Sequence, residues 1–84
     1  MSALMRAKLV VTSISSQETY ESITFAGVSK SAYTDDGLDE DNTYAKFSPA
    51  VDLRITITNP ALLGKLKAGQ KLYVDFTPAE EDKQ

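Results

Sequence analysis

Apolar and polar residues alternate without a break from residue 51 to 58. Val51, Leu53, Ile55 and Ile57 are interleaved with Asp52, Arg54, Thr56 and Thr58, the period-two signature of a strand with one buried face. Asn59-Pro60 ends the pattern. An asparagine oxygen can accept from a free backbone N–H at a helix start, and proline lacks the N–H that the first helical position leaves unpaired. A short helix over about 60–67 is therefore predicted. Leu62, Leu63 and Leu66 recur at three- and four-residue spacing, Lys65 and Lys67 fall where a cation complements the helix dipole, and Gly69 offers a left-handed exit. Two turns are marginal on their own in water, so the leucines are expected to dock on a sheet. Alternation resumes with Leu72, Val74 and Phe76 set against Lys71, Tyr73, Asp75 and Thr77, and Pro78 stops it.

The first half of the chain reads as a hairpin. From Leu4 to Ile14, Met5, Ala7, Leu9 and Val11 share one strand face and Arg6, Lys8, Val10 and Thr12 the other. The polar run SISSQET over 13–19 suits a turn. From Tyr20 to Lys30 a second strand places Ile23 and Phe25 on one face, with Gly27 as a candidate bulge. Residues 31–42, SAYTDDGLDEDN, carry five acids and no periodicity, which predicts a solvated, mobile loop. Strand character returns from Thr43 to Phe47 before Ser48-Pro49, where proline admits only an edge, a bulge or a bend. The charged tail 79–84 is expected to fray. The expectation is one domain over 1–78: all-β, or β-dominated, a small antiparallel barrel or sandwich of four or five strands, with the short helix before the last strand covering an open end. Were 43–58 one bent strand, the order would approach an incomplete oligonucleotide-binding barrel.

Composition narrows the chemistry. A chain of 84 residues removes only roughly 60% of its unfolded surface from water, so oligomerisation is a plausible supplement to a small core. The chain has no histidine and no cysteine, which removes the commonest general base, thiolate metal sites and disulfides. Its serines have no activating base, and its four glycines form no phosphate loop. Asp52 and Asp75 would approach each other if their strands paired, but Arg54 and Lys71 share their faces, so cross-strand ion pairs account for them more simply than a catalytic dyad. No enzymatic activity and no cofactor are expected. The acidic loop fails the EF-hand spacing: with Gly37 sixth, Ala32 is first, Thr34 third and only Asp36 falls in register. That leaves at most a loose cation site. No apolar run is long enough to cross a bilayer, so a cytosol-like compartment and no membrane partner are expected.

The formal charge of −3 is unevenly placed. Five of the twelve acids fall in 35–41 and three in 80–82, leaving Glu18, Glu21, Asp52 and Asp75 elsewhere in a chain with nine basic residues. A net basic body flanked by two acidic segments follows. The stretch 59–71 holds Lys65, Lys67 and Lys71 and no acid, while Tyr44 with Lys46 and Tyr73 with Lys71 read as tyrosines beside lysines. Lys46, Lys65, Lys67, Lys71, Tyr44 and Tyr73 are the candidate partner-binding residues. They suit a protein interface, including one with a second copy, or stacking and charge contacts to single-stranded nucleic acid. The acidic segments oppose a phosphate backbone and favour the protein partner.

The run YAKFSPAVDLRITITNPALLGKLKAGQKLYVDFTPAE, with the opening AKLVVTSI, also resembles a family of short uncharacterised proteins of tailed bacteriophages. Its members share a basic first strand, a variable middle, a Ser- or Thr-Pro step, an Asn-Pro helix and a glycine-led closing strand, here GQKLYVDFT. The resemblance spans about two thirds of the chain. It implies a phage origin and a small accessory or structural protein working in the host cytoplasm or virion, with no catalytic residue to carry over. The leading expectation is thus a non-enzymatic protein acting through contacts with itself or with a phage particle component. The alternatives are a single-strand nucleic-acid binder, and an acidic inhibitor of a host protein acting through 35–41.

Overall fold

The computed structural model describes residues 3–79. Four strands form one antiparallel sheet: β1 (Met5–Ser16), β2 (Glu21–Gly27), β3 (Leu53–Ile57) and β4 (Lys71–Phe76), in the order β3-β2-β1-β4. The sheet curls into a half-barrel. The all-β class, the four strands and the first hairpin agree with the sequence pattern.

The long central strand β1 divides its two edges between different partners. Leu9 to Ser16 pair with β2, and Met5 to Val10 pair with β4. Between Val11 and Ser13 the register to β2 slips by one residue, so the bulge sits at Thr12 rather than at the expected Gly27. The Thr12 hydroxyl lies 3.1 Å from the Thr24 carbonyl oxygen and 3.0 Å from Oγ1 of Thr24. The extra residue resets the alternation. Ile14, three positions after Val11, thereby comes opposite Ile23 on the apolar face.

That face carries the core. Ala7, Leu9, Val11, Ile23 and Phe25 are buried, and Ile14, Leu53, Ile57, Leu72 and Val74 flank them from the sheet. Tyr44, Val51 and Leu66 reach them from the connecting segments.

Two further expectations are corrected. The helix over 60–67 is a single 3-10 turn, Pro60–Leu62. Its start is as read: Asn59 Oδ1 accepts from Ala61 N at 3.0 Å, and Pro60 opens the turn. Leu63 then turns extended (φ −66°, ψ 138°) and Gly64 left-handed (φ 76°). The Gly64 amide donates to Oε1 of the buried Glu21 at 3.2 Å, and the liberated chain lays Leu66 against the core.

Second, Thr43 to Phe47 is a succession of turns and bends with no strand. Phe47 has φ 63°, a left-handed conformation foreign to a ladder. Residues 42 and 43 instead edge the first half of β1, where β2 has ended. Thr43 N donates to the Arg6 carbonyl at 3.0 Å, Arg6 N to Thr43 Oγ1 at 2.8 Å, and Lys8 N to Asn42 Oδ1 at 2.9 Å.

β3 and β4 occupy opposite edges of the sheet, so the condition under which Asp52 and Asp75 would approach each other is not met.

The sheet is one layer deep. The chain's Cα extents are 48 × 39 × 16 Å and its radius of gyration is 15.2 Å, against about 12 Å for a compact chain of this length.

Candidate interaction surface

The inside of the curl is incompletely covered. Met5, Ala7 and Leu9 of β1, Phe76 of β4, and Val51, Leu53 and Tyr44 line a groove of about 300 Å³, with Asp52 at its margin. Along the same sheet face Phe76 is 44%, Ile55 43% and Met5 38% exposed, while the buried core is five side chains. Apolar surface that alternation should have hidden is therefore left open at both edges of the sheet.

Tyr44 belongs to this groove and not to an outward basic patch. Its ring packs on the core cluster, and its hydroxyl is buried without a hydrogen-bond partner. The hydroxyl lies 3.5 Å from the place a Cβ would take on Gly27, so the bare glycine leaves it room. Burial pushes its pKa above the ordinary 10.0, with Tyr33 and Asp39 acting in the same direction. Lys46, two residues on, is exposed. The expected Tyr44–Lys46 surface pair is thus split between core and solvent.

Tyr73 and Lys71 do share a surface, the outer face of β4, where both are exposed. Tyr73 is not a bare ring. The Arg6 guanidinium sits 4.6 Å from its centroid and at the same time grips Asp75 through Nε (2.7 Å) and Nη2 (3.0 Å). The side-chain hydrogen bond and the charge of Asp75 raise the Arg6 pKa, and the hydrogen bonds from Arg6 hold Asp75 below the ordinary 3.8. The cation that pairs with Asp75 is Arg6 of β1 and not Arg54 or Lys71, the two that the sequence pattern offered. Lys65 and Lys67 stand exposed on the connector into β4, where the Lys67 amide donates to Gln70 Oε1 at 3.1 Å.

The acidic loop differs from the solvated segment expected. Asn42 is 1% and Asp39 6% exposed. Besides accepting from Lys8, Asn42 donates through Nδ2 to the Val28 carbonyl (2.8 Å) and to Asp39 Oδ2 (3.0 Å). Asp41 N donates to Asp39 Oδ1 at 2.9 Å, and these bonds, Asn42's first, hold Asp39 below 3.8. Asp36 is lowered in the same way by the Thr34 hydroxyl and the Leu38 amide. Phe47 closes the loop by lying on Gly37, its amide 2.6 Å from the Gly37 carbonyl, with Tyr33 edge-on at 5.8 Å.

Asp39, Glu40 and Asp41 each bring a carboxylate oxygen within 4.8 Å of the others, the nearest approach to a cation site among the described residues. Both Asp39 oxygens are already committed, and Asp41 faces Lys8 Nζ at 3.7 Å. The cluster therefore serves the loop's own packing. Asn42, the residue that organises it, carried no signal in the sequence: an asparagine closing an acidic run reads as ordinary loop.

Comparison of the chain with family models, curated proteins and solved structures gives no match. Among the described residues no helix is long and apolar enough to cross a membrane.

Proposed function

We propose that the chain is a non-enzymatic accessory or structural protein of a tailed bacteriophage, acting through protein–protein contacts in the host cytoplasm or virion. It works as a homo-oligomer or as a component of the particle. The observation that carries this reading is the open half-barrel. A single-layer sheet in a chain whose smallest extent is 16 Å, with Met5, Ile55 and Phe76 more than a third exposed on its apolar face and the outer edges of β3 and β4 without a ladder partner among the described residues, is an unfinished surface. Unpaired edges and contiguous apolar area are what native chains ordinarily cover, and another polypeptide covers both. The resemblance of the AKLVVTSI and YAKF…TPAE segments to phage proteins supplies the biological setting.

Nucleic acid draws less support. Tyr44 lies against the core and Tyr73 already carries Arg6 on one face, so neither is the free ring that base stacking uses. Titration with single-stranded DNA at low and high salt is expected to show no binding at either. Mass spectrometry of purified particles of the source phage tests the main reading. Recovery at structural copy number, or of a defined oligomer from infected cells, is the expected result. A free monomer absent from particles contradicts it.

A further inference from the structure

The two outer strands are not equivalent edges. In β1 the Arg6 and Lys8 carbonyls accept bonds on the β2 side, while Val11 bonds Gly69 and Gln70 on the other side. With Leu9 opposite Leu72 and Ala7 opposite Val74, alternation turns the even-numbered residues of β4 toward β1. The backbone groups of Lys71, Tyr73 and Asp75 are left on the open edge, and their side chains stand on the outer face. That edge reads cation, tyrosine, anion at alternate positions, the anion shared with Arg6 of its own chain, so its charge pattern complements itself when reversed. β3 offers nothing comparable, since Arg54 is its one charged residue.

We propose that β4 is a homodimerisation edge. Two copies pair β4 to β4 antiparallel about a two-fold axis through Tyr73, so that Lys71 of each faces Asp75 of the other and Leu72 faces Val74. This rests on the protein-contact reading above and names its partner as a second copy. Registers centred on Lys71 or on Asp75 would set like charges directly opposite each other, and those centred between give no ion pair. The Tyr73-centred register opposes unlike charges at both ends. The surface is also held in shape beforehand, because Arg6 pins both Tyr73 and Asp75 and leaves less side-chain freedom to lose on docking. Pairing joins the two sheets into one and brings Phe76, 44% exposed at the open edge, beside the second copy.

Because the chain contains no cysteine, single replacements report the register. Tyr73 would oppose its own copy at about 5.5 Å between Cα atoms, within disulfide reach, whereas Lys71 would lie about 14 Å from its own copy. Oxidised Tyr73→Cys is expected to form covalent dimer on the order of a hundredfold faster than Lys71→Cys or Thr56→Cys, since held thiols see a millimolar effective concentration. Lys71→Glu, which sets an anion against the Arg6-paired Asp75 at both ends and touches no ion pair among the described residues, is expected to weaken the dimer severalfold. Urea unfolding of each variant reports whether the monomer fold is retained.

Equal cross-linking rates at the three positions, or a preferred disulfide between mixed Tyr73→Cys and Thr56→Cys copies, overturn the β4 pairing. If the wild type is nonetheless dimeric, the contact reading stands and only the edge is wrong. A wild type that is monomeric at every concentration overturns the dimer itself, leaving the particle assay to decide the broader reading.

Discussion

Asn42 does more than its place in a polar run suggests. It satisfies the Lys8 amide, the Val28 carbonyl and an Asp39 oxygen from a position only 1% exposed. Replacing it with alanine leaves buried groups unpaired, at a cost of roughly 2–4 kcal/mol, to be read from urea unfolding. Gly37 is a second such residue. A Cβ there would stand 2.6 Å from the Phe47 ring on a backbone already at φ 71°, whereas Gly64 at φ 76° faces open space. Both alanine variants incur about 1–2 kcal/mol of left-handed strain, and Gly37→Ala should lose clearly more than Gly64→Ala because the ring must also move. Neither residue was legible in the sequence, since their roles depend on partners 34 and 10 positions away. The Asn59 cap was legible because its partner, Ala61, is two residues on.

Titration belongs to the same scale. Asp36, Asp39 and Asp75 all have pKa values lowered from 3.8 by hydrogen bonds or a neighbouring cation. A carboxyl depressed in the folded state contributes stability that is fully present above its unfolded pKa and lost as pH falls through the folded one. The melting temperature should therefore hold from neutrality down to about pH 4 and fall below it. Asp75→Asn should make that acid limb shallower, as thermal scans across the range will show. An unchanged limb in the variant would mean that the Arg6 pair contributes nothing in solution.

At the scale of elements, the strands were readable in place but not in length: β3 covers Leu53–Ile57 of the alternating 51–58, and β2 stops at Gly27 where Lys30 was expected. β4 begins and ends within a residue of its expected bounds because Gly69 and Pro78 punctuate it. β1 was readable but its bulge was not, although the three-residue step from Val11 to Ile14 was its trace. The step makes a sharp prediction. Deleting Thr12 removes the bulge and still leaves Ile14 opposite Ile23, so stability should change by only about 1 kcal/mol. Deleting Val10 instead moves Met5, Ala7 and Leu9 to the wrong face relative to Val11, and the fold should be lost. Circular dichroism and urea unfolding of the two deletions distinguish these outcomes. The helix over 60–67 failed for a physical reason: Gly64 interrupts its three leucines, and a glycine free to go left-handed beside the Glu21 carboxylate ends the turn early.

For the whole molecule, the feature that matters is incompleteness. Alternation correctly marked the apolar residues of all four strands, but it could not say that the described residues bring too little covering material to bury them. What the described residues supply is Tyr44, Val51 and Leu66 from the connecting segments; they pack on the core and leave Met5, Ile55 and Phe76 more than a third exposed. A radius of gyration of 15.2 Å expresses the same shortfall in size. The charge layout was readable as a count but not as a surface, because Arg6 and Asp75 meet only when β1 and β4 pair.

The central claim is that a second copy of the chain pairs with this open sheet. Sedimentation velocity of the full chain across about two decades of concentration around the micromolar range typical of protein pairs tests it most directly. The account predicts a concentration-dependent shift from the 9.2 kDa chain to twice that mass, moved to higher concentration by Lys71→Glu. A single species at the monomer mass throughout would contradict it.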